Sequence, residues 1–437
     1  MALLALPLTR RSTAVSAPPM VTPARLRECH DCTQLQVVPP LPPGARAVCV
    51  RCDAVLRHTR RDPLGLPLVL NITALILFII AVGSTLMVVS RVGQSHTADL
   101  FSGPVGLEDS GMWELSAVIL FTTFAAPLAK LVATTTVLLG AHSDEPPAWL
   151  RGWFFWANLL RPWSMIEVYL LGVFVAFTRL GTEVNIELGP ALYALAVLMV
   201  VMIAADYCLD REAVWDAIGR RRPLALVQRV GAHHPDARRI GCGVCRYVTR
   251  TVAGMRCPRC GFLLHARKPN AVARTWAFGI AALILYVPAN TYPVLTLTSF
   301  GASTPSTILG GVRELLDAGM WPLAALVFFA SIVVPAIKVI GLAFLLISTQ
   351  TGSRRWLRDR TRLYRFIDGI GRWSMIDIFV GSLLVAVLQF GQLASVLPGP
   401  GAIAFASVVI LTMLAAQSFD PRLMWDAADI PSGKPAP

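Results

Sequence analysis

The sequence predicts an all-α polytopic membrane protein whose eight transmembrane helices form two parallel four-helix repeats, each preceded by a small cytoplasmic four-cysteine module. Three observations predict this fold class. The 437 residues are 55% hydrophobic and only 15% charged, with a mean hydropathy of +0.60, whereas soluble domains are about 25% charged. Eight apolar segments are long enough to cross a bilayer, and several motifs occur twice at nearly one spacing. This composition excludes a soluble, fibrous or disordered chain.

The eight apolar segments and the loops between them predict the membrane topology. About 20 apolar residues cover the hydrocarbon core of a bilayer. The approximate limits of the segments are 67–90, 114–140, 164–181, 188–208, 275–298, 321–347, 374–394 and 401–418. Residues 1–66 carry nine Arg, residues 209–275 fourteen Lys plus Arg, and residues 348–372 seven Arg. Because basic loops stay in the cytoplasm, we expect both termini and the central linker there, which explains the net charge of +13 without nucleic-acid binding.

Eight of the nine cysteines form two four-cysteine sets. They are Cys29-x2-Cys32-x16-Cys49-x2-Cys52 and Cys242-x2-Cys245-x11-Cys257-x2-Cys260. Two C-x2-C knuckles supply four thiolates in a tetrahedral arrangement, which suits Zn²⁺, and a cytoplasmic location disfavours disulfides. We therefore predict two structural Zn²⁺ ions, each folding a small zinc ribbon. Iron in a rubredoxin-like site, a redox dithiol and a zinc sensor are the alternatives, and Cys208 is left over as a small apolar residue.

The domain boundaries follow from the loops and the cysteines. In order, we expect a flexible cytoplasmic tail (1–25), zinc ribbon 1 (26–62), a first four-span bundle (63–210), a basic cytoplasmic linker (211–238), zinc ribbon 2 (239–268), a second four-span bundle (269–427) and a cytoplasmic tail (428–437).

The two halves are predicted to be a tandem duplication. Cys49 and Cys257 lie 208 residues apart, and so do the Pro-x2-Lys motifs that end at Lys130 and Lys338. After a two-residue shift, Trp163–Glu167 (Trp-Ser-Met-Ile-Glu) matches the Trp-Ser-Met-Ile-Asp motif 210 residues later. Since four spans are an even number, the two repeats share one orientation and are parallel.

Charged residues inside the spans mark a candidate site. An intramembrane Lys costs roughly 3 kcal/mol on insertion scales, so Lys130 and Lys338 each need a partner or a wet cavity. We expect Lys130 to contact Glu167 and Lys338 to contact Asp377. The pairs are either clamps between neighbouring spans or parts of a polar path for a head group or a proton.

The second repeat offers more polar groups than the first. Ser331, Ser374 and Thr412 are predicted to join Lys338 and Asp377 in one cluster, which favours the second repeat as the active one. The segment Pro288–Pro293 (Pro-Ala-Asn-Thr-Tyr-Pro) is predicted to interrupt the fifth span and to free Asn290 for cargo. A kink that serves packing alone is the alternative. The matching stretch of the first repeat, residues 80–85, has no proline.

At these motifs the chain resembles the paraquat-inducible protein A family. The resemblance runs from Cys29 to Ala427 and is carried by the duplicated ribbons, Pro288–Pro293, the two Trp-Ser-Met-Ile-acid motifs and Ser418–Arg422. It implies a multi-pass protein of the inner membrane of Gram-negative bacteria that works with an MCE-domain protein. In that picture the partner builds a tunnel across the periplasm, and the chain passes membrane phospholipid to or from it. The first repeat departs from the pattern at Ile80, Val82 and Thr85.

Three classes of function compete at this point. A lipid-handling membrane protein is favoured by two bundles with intramembrane polar groups. A scaffold that anchors or assembles the MCE partner without transporting lipid is the alternative. We do not expect an enzyme, because the sequence has no G-x-x-x-x-G-K-[ST], H-E-x-x-H or G-x-S-x-G motif. Nucleic acid is not an expected partner, since no aromatic residues are interleaved with the basic ones.

Overall fold

The computed structural model describes residues 25–91, 94–180, 185–219, 237–299, 302–387 and 395–429. The predicted tails lie mostly outside these residues, as does most of the predicted linker. Eight described helices are long and apolar enough to cross a membrane, as predicted. They are Gly65–Gly83, Trp113–Ala141, Leu150–Thr178, Pro190–Cys208, Ala271–Thr291, Trp321–Gln350, Leu357–Val387 and Pro400–Ser418, called spans 1 to 8 below.

The all-α class is wrong in one respect, because each bundle carries a three-stranded antiparallel sheet. Met87–Arg91 pairs with Gln94–Ala98 and Asn185–Leu188. In the second half Leu295–Ser299 is the central strand, between Ala302–Ser306 and Ser395–Pro398. Spans 1 and 5 therefore end at Gly83 and Thr291, before the predicted limits. Apolar length alone did not separate the helices from these short β-branched strands, which continue the apolar runs.

A glycine allows close backbone contact where each sheet meets its bundle. Gly189 N donates to Leu86 O at 2.9 Å, just before span 4 begins. A Cβ on Gly189 would lie 2.1 Å from Thr85 O, and one on Gly399 would lie 2.2 Å from Pro293 O. Only a residue without a side chain fits either position.

Spans 2 and 6 each contain a π-helical turn before a proline. The turns are Phe121–Ala125 and Phe329–Val333, and the prolines are Pro127 and Pro335. A proline inside a helix removes one N–H and crowds the carbonyl four residues earlier, and a widened turn accommodates both effects. Ser331 lies in the second of these turns.

Spans 3 and 7 start earlier than predicted and are divided by a 3₁₀ turn. Their first parts are Leu150–Leu160 and Leu357–Ile370, and the turns are Arg161–Trp163 and Gly371–Met375. The first parts are amphipathic rather than continuously apolar, so the apolar window began only at the Trp-Ser-Met-Ile motif.

The two bundles share one core, and they meet along spans 3 and 7. The rings of Tyr169 and Phe379 pack edge to face with centroids 5.7 Å apart. The short helix Ser102–Asp109 also packs on span 7, where Gly103 lies against Ser382. Its counterpart in the second half is Ile308–Asp317, and a short helix also follows each half, Arg211–Gly219 and Arg422–Asp429.

Each cysteine module consists of short hairpins. Module 1 has Arg25–Glu28 paired with Leu35–Val38 and Arg46–Val48 paired with Val55–His58. Module 2 has Arg238–Gly241 paired with Val248–Thr251 and a bridge from Arg256 to Leu263.

Each module packs against the other half of the chain. The cysteines of module 1 pack in one apolar cluster with Leu346, Phe419 and Trp425 of the second half. Those of module 2 pack with Phe154 and Trp215 of the first half. Each module therefore buries its apolar surface against the bundle that it does not precede, and the halves interlock.

Candidate functional site

The two four-cysteine sets have the geometry of metal centres. In each set all four sulfur atoms lie within 4.8 Å of one another, and all four cysteines are buried. The Sγ–Sγ distances are 3.5 Å for Cys29–Cys52 and 3.6 Å for Cys242–Cys260. A disulfide would place the sulfurs about 2.0 Å apart, whereas four thiolates at about 2.3 Å from one ion are about 3.8 Å apart. The cysteines are free thiols that could hold one metal ion per set.

A repeated backbone turn sets the direction of the thiols. The residue after the second cysteine of every knuckle has a positive φ, from 57° to 84°. These residues are Thr33, Asp53, Arg246 and Gly261. Three of them are not glycine, and such residues occupy the left-handed region only where surrounding contacts hold them there. The fourth, Gly261, is the residue type that adopts this backbone region without strain.

Two polar side chains reach the sulfur atoms of module 1, one from the module itself and one from outside it. Gln36 Nε2 donates to Cys49 Sγ at 2.9 Å, and Arg365 Nη2 donates to Cys52 Sγ at 3.4 Å. Arg365 also pairs with Asp31, with Nε 2.7 Å from Oδ2. Because Arg365 belongs to span 7, a span of the second bundle directly stabilises thiolate charge in module 1.

Buried charges join module 1 to the first half as well. Glu212, in the short helix Arg211–Gly219, pairs with both Arg27 and Arg57. Burial raises the pKa of the Glu212 carboxyl above its ordinary value, and the two guanidinium groups act in the opposite direction. Arg259 of module 2 donates to Glu212 O at 2.8 Å and to Asp216 at 2.7 Å.

Lys130 forms its ion pair with Asp206, rather than with the predicted Glu167. Its Nζ lies 2.9 Å from Asp206 Oδ2, and Arg161 Nε lies 3.2 Å from the same oxygen. Asp206 comes from the last turn of span 4, whereas Glu167 begins the helix Ile166–Leu180. The sequence signal was present, because Asp206 is a carboxylate within a predicted span.

Lys338 has a different environment in the second bundle. Its side chain is fully buried, and Nζ makes no hydrogen bond within the described part of the chain. The expected contact with Asp377 is therefore not a direct hydrogen bond. Asp377 accepts a hydrogen bond from Ser331 Oγ instead. Nζ lies 3.8 Å from the position that a Cβ on Gly371 would take.

The other predicted members of the cluster are partly brought together. The turn Gly371–Met375 packs against spans 6 and 8. Ser374 of this turn is fully buried, and its hydroxyl has no hydrogen-bond partner among the described atoms. Thr412 of span 8 is also buried, and its hydroxyl donates to Val409 O at 2.9 Å.

Asn290 forms a hydrogen bond within its own helix. Its Nδ2 donates to Tyr286 O at 2.8 Å, one turn earlier in the same helix. The prediction of a broken fifth span is wrong, because the helix Ala271–Thr291 continues through Pro288 and ends only after one more turn. Pro288 lies three residues before the helix end, so the helix ends within a turn of the proline instead of being broken and resumed.

The charged surroundings of the two lysines differ at two positions. At the 210-residue spacing of the Trp-Ser-Met-Ile motifs, Ala416 corresponds to Asp206 and Gly371 corresponds to Arg161. The second half thus lacks both charged groups that surround Lys130. The charged group that acts on the Lys338 ammonium group is instead the carboxylate of Asp368, one turn before Gly371.

A cavity adjoins this cluster between the two bundles. Its volume is about 20 Å³, and Asp377, Ser382 and Leu107 are among the residues that line it. A volume of this size holds about one water molecule. Asp377 and Ser382 are the polar residues among those that line this space at the junction of the halves.

These features define a multi-pass membrane protein with paired four-cysteine modules and a buried cationic cluster in one bundle. The chain belongs to the paraquat-inducible protein A family, whose model matches residues 65–219 and 272–429. The family predicted from the motifs is thereby confirmed.

Curated relatives match nearly the whole chain. It is 31% identical over 399 residues to the intermembrane transport protein PqiA of Escherichia coli K12, covering 91% of the chain and 95% of the relative. It is 29% identical over 401 residues to the lipophilic envelope-spanning tunnel protein A of the same strain, covering 92% and 91%. A probable intermembrane transport protein of Haemophilus influenzae is 25% identical over 430 residues, covering 95% and 99%. No solved structure is significantly similar to the chain.

Proposed function

We propose that this protein is the inner-membrane component of a lipid transport system, passing phospholipid to or from a periplasm-spanning tunnel built by an MCE-domain partner. The names of its relatives, intermembrane transport protein and envelope-spanning tunnel protein, support this function. The observation that carries it is the fully buried Lys338, whose ammonium group has no hydrogen-bond partner among the described residues. A buried cation is costly unless a partner compensates it, and a lipid phosphate is an anion of the right chemistry.

The polar cluster of the second bundle is the proposed lipid path. Lys338 would receive the phosphate, with the hydroxyls of Ser331 and Ser374 available as donors. Asp377 would hold Ser331 in place and keep the adjoining cavity wet. The two halves would be parallel repeats of one ancestral unit, the first of which keeps its lysine neutralised by Asp206 and serves as a structural support.

The orientation follows from charge. Both termini and both modules would lie in the cytoplasm, since the modules and their flanking segments carry most of the Arg and Lys. The two three-stranded sheets would then lie on the periplasmic side, where an MCE partner is met.

Each four-cysteine set would hold one Zn²⁺. The sulfur spacing fits a tetrahedral ion, and four thiolates leave no open position, so the ion supplies folding energy rather than catalysis. The residues that would hold the two ions are Cys29, Cys32, Cys49, Cys52, Cys242, Cys245, Cys257 and Cys260.

A membrane scaffold that assembles the MCE partner without moving lipid is the second candidate. The interlocked modules favour it, because they tie the two halves together, while the ion pair of Lys130 with Asp206 joins spans 2 and 4 within the first half.

Lipid that co-purifies with the protein distinguishes the two functions. We expect Lys338→Ala to lose most of the bound phospholipid, measured by mass spectrometry per mole of protein, while membrane insertion stays normal. Lys130→Ala is the matched control from the first half and is expected to retain lipid. Equal lipid in wild type and Lys338→Ala would reject the lipid path and favour the scaffold.

A further inference from the structure

A cluster of arginines on module 1 lies beside the last turn of span 4. Tyr207 in this turn is 57% exposed. Arg60 Nη2 donates to Tyr207 O, and the Arg60 guanidinium lies 3.8 Å from the centroid of the tyrosine ring. Arg46 Nη2 donates to the Tyr207 hydroxyl at 3.4 Å. His58 packs edge to face on the same ring, with centroids 6.1 Å apart.

We propose that Arg46, Arg60 and Tyr207 bind the head group of an anionic phospholipid in the leaflet nearest the cysteine modules. This lipid would be a bound neighbour at the rim of the first bundle, separate from lipid in the path through the second. The proposal therefore stands whether or not the protein transports lipid.

The exposed face of span 4 places the cluster at head-group level. Along this face the exposed side chains follow helical spacing and end at Tyr207. They are Tyr193, Val197, Val200, Ile203 and Tyr207, each more than half exposed. An exposed apolar stripe on a membrane helix faces lipid chains, and a tyrosine at its end marks the interface. The guanidinium groups beside Tyr207 therefore meet the membrane where the phosphates lie.

Two carboxylates of this region accept hydrogen bonds from backbone N–H groups at helix starts. Asp62 accepts from the backbone N–H of Gly65 at 2.8 Å and of Leu66 at 2.9 Å, at the start of span 1. Asp210 accepts from Glu212 N at 3.0 Å, at the start of the next short helix. Among the described residues, Arg46 and Arg60 form hydrogen bonds and ring contacts but no ion pair. Their positive charge is thus left for an external anion.

The chemistry of a lipid phosphate fits the free donors. A guanidinium group has five N–H donors in a planar fork that matches phosphate oxygens, and Arg60 uses one of them on Tyr207 O. Basic groups near a membrane surface attract anionic lipid, and each contributes roughly a fivefold gain in affinity.

Comparison with the second half shows which residues of this cluster cap a helix and which are left to bind a ligand. Lys268 corresponds to Arg60 at the 208-residue spacing, and its Nζ donates to Gln417 O at 2.6 Å at the end of span 8. A cation on the last carbonyls of a helix is thus common to both halves. The remaining groups are not, since Gly254 stands at the position of Arg46 and Gln417 at that of Tyr207. Arg46 and the ring of Tyr207 occur in the first half alone, so capping of the helix end does not explain them.

Native mass spectrometry of the full-length protein tests the proposal, with phosphatidylglycerol as the anionic probe and phosphatidylcholine as the zwitterionic one. We expect one phosphatidylglycerol to bind in preference to phosphatidylcholine. Arg46→Gln should weaken that binding roughly fivefold, and Arg46→Gln with Tyr207→Leu should weaken it further. Arg239→Gln, an exposed charge change in module 2, should leave it unchanged.

Three outcomes would overturn the site. The first is equal binding of the two lipids, and the second is unchanged phosphatidylglycerol binding in the Arg46 variants. The third is displacement by millimolar inorganic phosphate, which would indicate a free-ion site. Zinc content and membrane insertion of each variant show that the fold is retained. Normal lipid transfer in the Arg46 variants alongside weakened phosphatidylglycerol binding would separate this site from the lipid path.

Discussion

At the scale of single residues, two lysines that look alike in the sequence have opposite surroundings. Both follow a proline by three residues, and the motif predicted correctly that both are buried within spans. Their partners were not predictable, because a carboxylate 76 residues away in sequence, Asp206, reaches Lys130 only after span 4 packs against span 2. The sequence does show that the second half lacks this acid, because Ala416 stands 210 residues after Asp206.

An acidic residue at position 416 should abolish lipid binding by the second bundle. We expect Ala416→Asp to give Lys338 an ion-pair partner like Asp206 and to lower lipid retention at least tenfold, while the protein still inserts. Ala416→Asn is the matched neutral control and should keep most of the lipid. Normal lipid retention in Ala416→Asp would show that a free Lys338 charge is not what recruits the lipid.

At the scale of elements, the turns and the modules were predictable to different degrees. The cysteine spacing predicted both four-thiol sets, because a knuckle is a local structure. The sheets were missed, since their short strands continue the apolar runs of spans 1 and 5. Contacts such as that of Arg365 with Cys52 depend on how span 7 packs under module 1, which no local pattern contains.

The arginine beneath module 1 should tune its metal affinity. We expect wild-type protein to carry about two Zn²⁺ per chain. Arg365→Leu removes a donor to Cys52 Sγ and should weaken zinc binding in module 1 by about tenfold or more. A chelator competition followed by elemental analysis should therefore leave the variant with about one Zn²⁺ under conditions where wild type keeps two.

Arg256→Leu is the control, because Arg256 Nη1 donates to Gly261 O, at 3.2 Å, rather than to a sulfur. Equal chelator resistance in Arg365→Leu and wild type would mean that the span does not support the thiolates. Iron in place of zinc would reject the identity of the metal.

At the scale of the whole molecule, the interlock of the modules was not foreseen. Sequence order gives only which bundle each module precedes, and the apolar clusters join module 1 to Trp425 and module 2 to Trp215. Such an exchange has no local sequence signature, because both bundles offer a similar tryptophan at the same place. Its consequence is that neither half can separate without exposing a module's apolar face.

The orientation in the membrane is open to a direct test. We expect a membrane-impermeant maleimide to label Leu309→Cys in spheroplasts, because this exposed residue lies on the sheet side and positive charge places the modules inside. Val50→Cys, 83% exposed in module 1, should be labelled only after lysis. Cys208→Ser serves as the background for both. The reverse labelling pattern would invert the topology.

The central claim is that Lys338 and Asp377 serve cargo rather than packing. A structural clamp between buried charges is replaceable by apolar residues of similar volume at little cost in stability, whereas a head-group site is not. Transfer of labelled phospholipid between inner-membrane vesicles and the MCE partner measures this directly in Lys338→Met/Asp377→Leu. We expect a protein that inserts and binds zinc normally yet transfers no lipid, whereas lipid transfer at the wild-type rate would contradict the account.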